Sequence, residues 1–264
     1  MSIELKNVSF TYHGNFKAIE NVSLTIADGE RVAIVGSNGA GKTTCVKLMN
    51  ALFKPNAGAV LVNGVDTREK TAAQIAKTVG YVFQNPDDQI FNSNVRTELE
   101  YMPKYLKLPQ DEIKRRVDNA LELTSIGKYM DMNPFDIPYP IRKFVTIAAV
   151  ICVQPAYLIL DEPTAGQDRL GIGILEKLMD EMSRRGISVI TITHDMEFVA
   201  NNFKRVVAMA HANIIADGAA RDIYWNDAVV EESGILKPQL AELAKNLQLP
   251  GNLLYLEELI NAVE

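Results

Sequence analysis

Apolar and polar residues alternate over residues 3–10 and 22–26, the period-two pattern of half-buried strands. Residues 31–35, RVAIV, are a short run of the kind a sheet buries. A glycine-rich turn follows, and residues 43–52 read as a helix. Strand, glycine-rich turn and helix in that order open an α/β nucleotide-binding unit. Further apolar runs at 79–83, 157–160, 188–193 and 205–209 predict more strands. Between Pro86 and Gln154 the period changes: Ile113, Val117 and Leu121 recur every fourth residue, the spacing of helices. The expectation is an α/β core over residues 1–218 with a helical subdomain, about 86–154, inserted into it. Beyond Gly218 the chain leaves that core. Leu240, Leu243, Ala244 and Leu247 predict an amphipathic helix in a C-terminal extension, 219–264, with its apolar stripe packed on its own domain.

Composition narrows the function classes. A net charge of -6 argues against a nucleic-acid binder, which needs clustered Lys and Arg to neutralise phosphates. Cys45 and Cys152 lie far apart in apolar surroundings, so two buried small hydrophobes in a reducing compartment are expected rather than a disulfide. The opening MSIELKNVSF has no basic stretch followed by an apolar core, so no signal peptide is expected. The longest nearly apolar run, 145–153, falls short of the ~20 residues that span a bilayer. Any service to a membrane is therefore expected through partners, from its cytoplasmic face.

The chemistry begins at the glycine-rich turn. Gly36, Ser37, Asn38, Gly39, Ala40, Gly41, Lys42 and Thr43 fit GxxxxGK[ST] at every fixed position. Glycines let the backbone wrap around phosphates with its N–H groups inward, and the following helix adds its positive end. Lys42 is expected to bridge the β- and γ-phosphates of ATP, Thr43 to hold Mg²⁺ and Thr44 to reach the α-phosphate side.

Residues 157–162, YLILDE, are an apolar strand ending in two carboxylates. Taken alone, such a pair reads as a solvated turn. Beside a phosphate loop, Asp161 is expected to hold Mg²⁺ through water and Glu162 to orient or deprotonate the attacking water. His194 ends another apolar strand; alone it reads as a structural histidine, but where strand ends converge on the γ-phosphate it is expected to donate to the transferring group. His13 and His211 have no comparable context.

Together these residues resemble the ABC ATPase family over nearly the whole chain. The resemblance implies an α/β P-loop NTPase core with N-terminal antiparallel strands and an inserted helical subdomain. It identifies residues 36–43 as the Walker A loop and 158–162 as Walker B. Gln84 falls at the Q-loop glutamine that contacts Mg²⁺ and the membrane partner. Asp168 falls in the D-loop and His194 at the switch histidine. Tyr12 falls where an aromatic ring stacks on adenine. Residues 83–91, FQNPDDQIF, resemble the Q-loop of energy-coupling factor (ECF) and cobalt-type importer ATPases, as does the segment 236–251. In that subfamily the ATPases dimerise, often as two different chains. They drive a polytopic membrane scaffold with a small substrate-capture protein, and the cargo is a vitamin or a transition-metal ion. The C-terminal extension contributes to dimerisation.

One motif departs. Residues 145–148, VTIA, match the helix that follows the family signature LSGGQ, which places the signature on Ile137, Pro138, Tyr139, Pro140 and Ile141. Pro138 brings no hydroxyl, neither proline has an N–H, and Tyr139 puts a ring where glycine allows close approach. Two lost charge-assisted bonds would cost ~1.5–3 kcal/mol each, so this loop is expected to clamp the opposite subunit's ATP poorly. Arg142 or Lys143 could substitute in part, though solvated charge is the plainer expectation for both. The expected assembly is an asymmetric pair in which a partner ATPase with an intact signature completes this chain's site. A homodimer that binds ATP and hydrolyses it poorly is the second reading. A soluble ABC ATPase acting on nucleic acid or ribosomes, or a regulatory ATP-binding module, are rivals. The absence of heptads between Thr44 and Asp161, and the single ATPase domain, weigh against the former. Intact Glu162 and His194 weigh against the latter.

Overall fold

The computed structural model describes residues 1–263, which divide into two compact units. The first comprises residues 1–27, 31–69 and the chain from Thr191 onward; the second comprises 28–30 and 70–190.

In the first unit, β1 (Ser2–Thr11), β2 (Lys17–Ala27), β3 (Arg31–Val35), α1 (Lys42–Met49), β4 (Ala57–Val62) and β5 (Val65–Asp66) follow in order. β1, β2, β4 and β5 form an antiparallel four-stranded sheet in the order β2-β1-β4-β5. Its alternation is visible in the burial of Ile3, Leu5, Val22, Leu24 and Ile26. β3, the continuous apolar run, is buried from Val32 to Val35.

The second unit holds α2 (Ala72–Ile75), β6 (Val79–Val82), α3 (Val95–Tyr105), α4 (Gln110–Thr124), α5 (Tyr139–Ile151), β7 (Tyr157–Asp161) and α6 (Arg169–Arg184). β6 and β7 pair in parallel, from Val79 opposite Tyr157 to Val82 opposite Leu160. Helices α3, α4 and α5 pack on one another. The fourfold spacing noted in the sequence is the buried face of α4, with Ile113, Val117, Ala120 and Leu121 inward.

β8 (Ser188–Ile192) lies where the chain passes back to the first unit. There follow α7 (Met196–Asn202), β9 (Arg205–Ala210), β10 (Asn213–Ala219), α8 (Ala220–Trp225), α9 (Asp227–Ser233), α10 (Gln239–Asn246) and α11 (Leu256–Val263). β9 pairs in parallel with β3 and antiparallel with β10. Polar contacts hold the segments of the extension to one another: Arg221 pairs with Glu258, and Trp225 Nε1 donates to the Leu253 carbonyl at 3.1 Å. Asp227 takes both Lys237 and Lys245. The stripe expected on α10 is corrected in part: Ala244 is buried and Leu240 half-buried, but Leu243 and Leu247 are exposed, and Ala241 completes the buried face.

Candidate functional site

In the first unit the loop between β3 and α1 is shaped by glycine. Gly36 takes φ +146°, and a Cβ there would lie 2.2 Å from the Met209 carbonyl oxygen. Gly41, which caps α1, takes φ +104°, and a Cβ would lie 2.5 Å from the Ala18 carbonyl oxygen. Neither position admits another residue without moving backbone. Lys42 is buried, and its Nζ donates to the carbonyls of Gly36 at 2.8 Å and Ser37 at 2.9 Å, so the ammonium lies within the curl of the loop. Ser37, Asn38 and Gly39 are exposed, Ala40 and Thr44 are buried, and Thr43 is half-buried. The Ser37 N–H donates to the Ser233 carbonyl at 2.7 Å, which fastens the start of the loop to the end of α9.

Tyr12 stands in an aromatic cluster in the same unit. Its ring meets Phe10 and Phe53 edge-on, at 5.1 Å and 5.5 Å between centroids, and its hydroxyl lies 3.0 Å from Thr44 Oγ1. A half-exposed flat ring is thus tied to the first turn of α1. His194 is exposed, in the short link from β8 to α7. The turn there is closed by Thr193 Oγ1, which accepts from the Asp195 N–H at 3.1 Å, and by Asp195, which caps α7.

In the second unit, parallel pairing of β6 and β7 delivers Gln84 and the pair Asp161 and Glu162 to one edge. Asp161 is buried, and Tyr81 Oη donates to its Oδ2 at 2.7 Å. Glu162 is buried at the strand end with φ +49°, and its carbonyl accepts from Lys143 Nζ at 2.7 Å. Gln84 is exposed. The turn beside it is held by Gln89, whose Oε1 accepts from the Phe83 N–H at 2.9 Å. Asp168 caps α6 by accepting from the Gly171 N–H at 2.8 Å, and Gln167 Nε2 donates to the Pro140 carbonyl at 2.9 Å.

A profile of the ABC transporter family matches residues 19–165. The chain belongs to that family. It is therefore an ATP-binding cassette, and the cassettes of this family are ATPases. A Methanosarcina mazei protein described as an ABC transporter ATP-binding protein is 36% identical over 252 residues, which are 94% of this chain; the chain spans only 42% of that longer relative. The energy-coupling factor transporter ATP-binding protein EcfA of Methanothermobacter thermautotrophicus is 34% identical over 251 residues, covering 94% of this chain and 81% of that one. The solved structure of cbiO1 from Clostridium perfringens, part of the ABC transporter complex cbiONQ, superposes with a TM-score of 0.78 at 31% identity, over 93% of this chain and 98% of that one. Among the described residues no helix is long and apolar enough to cross a membrane.

In this cassette, residues 137–141 form the entry to α5. Ile137 is buried, Pro138 caps the helix, and Tyr139 and Pro140 begin it with the tyrosine ring exposed. Proline suits the first turn of a helix, where N–H groups lack intrahelical partners. The expectation that Arg142 and Lys143 are solvated charges is corrected. Arg142 donates to the carbonyls of Pro134, Phe135 and Ile137 and pairs with Asp87 at 2.7 Å. Lys143 is 3% exposed. Burial pulls its pKa below the ordinary lysine value, against the opposing pull of Glu162 and Asp161. Sequence reasoning missed Tyr81, Gln89, Gln167 and the inward turn of Lys143.

Proposed function

We propose that this ABC ATPase is the motor of an ECF-type importer, working as one member of an asymmetric ATPase pair to drive uptake of a vitamin or a transition-metal ion. The observation that carries it is likeness to EcfA and cbiO1 along more than nine-tenths of the chain, a span too long to end before the C-terminal extension. The FQNPDDQIF segment supports it, as do the exposed Leu236, Leu243, Leu247, Leu256 and Ile260, which suit a dimerising extension. An apolar cleft of about 180 Å³ lined by Tyr81, Phe91, Tyr101, Met102, Val150 and Val153 suits a docking segment of a membrane scaffold. Of these, Phe91 and Tyr101 are exposed and meet edge to face at 4.7 Å.

In this proposal the loop N–H groups of residues 36–43 and Lys42 bind the phosphates, Thr44 stands on the α-phosphate side, and Tyr12 stacks on adenine. Thr43, Gln84 and Asp161 offer only oxygen ligands, a hard donor set that fits Mg²⁺, and Asp161 is already oriented by Tyr81. Bound there, the cation would offset phosphate charge. Glu162 orients the attacking water, His194 donates to the γ-phosphoryl group as charge develops, and Asp168 shapes the D-loop facing the partner. Residues 137–141 clamp the partner's nucleotide weakly, so only one of the two sites turns over at full rate.

The test is co-purification of the tagged chain from detergent-solubilised membranes of its source. Recovery of a second ATPase with an intact LSGGQ and a polytopic membrane protein is expected. Recovery from the soluble fraction alone, or with ribosomes or DNA, would contradict the importer.

A further inference from the structure

The buried ammonium of Lys143 has no part in the chemistry above, yet it touches the residue on which that chemistry turns. Its Nζ donates to the Glu162 carbonyl at 2.7 Å. Glu162 is held at φ +49°, in the left-handed region that non-glycine residues rarely adopt and that persists only where neighbours enforce it. A second bond from the same turn of α5 reaches the adjacent loop, where the Pro140 carbonyl accepts from Gln167. The ring of Tyr139 lies 5.8 Å from Lys143 Nζ, within cation–π range, at a position where the family motif would have glycine. An apolar side chain would fill this place without desolvating a charge, so packing alone does not explain a lysine here.

We infer that Lys143 is a positioning residue that fixes the backbone of Glu162 and so aims its carboxylate, and that the altered signature segment braces the catalytic strand end of its own chain. This rests on the water-orienting role proposed for Glu162. A carboxylate misplaced by about an ångström loses about a hundredfold in rate, and a hinge bond at its own carbonyl controls placement at that scale.

The experiment uses the intact complex purified with its partner subunits and carrying full-length variants. Lys143→Met should lower kcat at least about tenfold. KM for ATP and the melting temperature should stay near wild type. Lys143→Arg, which keeps a cation with N–H donors, should recover most of the loss. Added to Glu162→Gln, Lys143→Met should lower the residual turnover no further, because the two act through one carboxylate. Unchanged kcat in Lys143→Met, beside lost turnover in Glu162→Gln, would overturn the inference and leave the role of Glu162 standing. So would a fall in kcat that travels with lost ATP binding and a lower melting temperature, or an Arg variant as slow as the Met variant. Full turnover in Glu162→Gln would overturn the catalytic role and the inference with it.

Discussion

Replacing Gly41 by alanine places a methyl group where the loop between β3 and α1, proposed to bind phosphates, has no room. The added Cβ would lie 2.5 Å from the Ala18 carbonyl oxygen and 2.9 Å from Ile19 Cδ1, and the first of these is backbone that cannot rotate away. The φ of +104° adds a conformational cost, about 1–2 kcal/mol for a residue with a Cβ. Crowding in a packed region adds about 1–3 kcal/mol. If the loop must hold its present curl to bind phosphates, the sum of about 2–5 kcal/mol falls on ATP binding. At 1.4 kcal/mol per tenfold, that is a loss of affinity of at least about thirtyfold. Equilibrium titration with a fluorescent ATP analogue measures it, with thermal unfolding as a check on folding. Gly64→Ala is the control: its φ is +80°, with nothing within 4 Å of the added Cβ, in the turn from β4 to β5. It should cost stability while ATP affinity stays at the wild-type value. Affinity in Gly41→Ala within about threefold of wild type, or an equal loss in Gly64→Ala, would refute the reasoning.

Other expectations follow from burial and charge. Burial pushes the thiols of Cys45 and Cys152 up to about 12, so the native chain should resist thiol reagents at pH 8 and release both groups only on denaturation; rapid labelling of the folded chain would contradict this. Hydrogen bonds from Lys245 and Lys237 hold Asp227 below its ordinary 3.8, at about 2. A carboxyl depressed on folding stabilises the folded state above its unfolded value, and that stabilisation is lost as pH falls toward the folded one. The melting temperature should therefore fall less steeply from about pH 4 to pH 2 in Asp227→Asn than in wild type, and equal slopes would count against the contact.

The curl of the loop between β3 and α1 was legible in the sequence because its first and last glycines answer local demands. Gly36 and Gly41 meet backbone that no Cβ could pass, and Lys42 follows at the start of α1. The strand ends bearing Asp161 and Glu162 were legible because a buried strand is a continuous apolar run. What supports those residues was not. Tyr81 reaches Asp161 across 80 residues of chain, through the register of β6 against β7, which no local pattern encodes. Lys143 and Arg142 read as surface charge, since charged residues are rarely buried unless paired. Both turn inward onto carbonyls at turns, that of Glu162 for the buried Lys143 and those of Pro134, Phe135 and Ile137 for the half-buried Arg142. The helix α10 was found with its buried face only partly placed: Ala244 is inward as expected, but Leu243 and Leu247 face out and Ala241 takes the remaining buried position, because leucine outweighs alanine in an apolar pattern.

The central claim is that an intact catalytic half stands beside a poor signature in one chain. Steady-state ATP turnover of the purified chain, alone and then mixed with the ATPase that co-purifies with it, tests this most directly. A low rate alone, raised at least about tenfold by the partner and abolished by Glu162→Gln in this chain, is the predicted result. Turnover by the chain alone as fast as that of the mixture would contradict it.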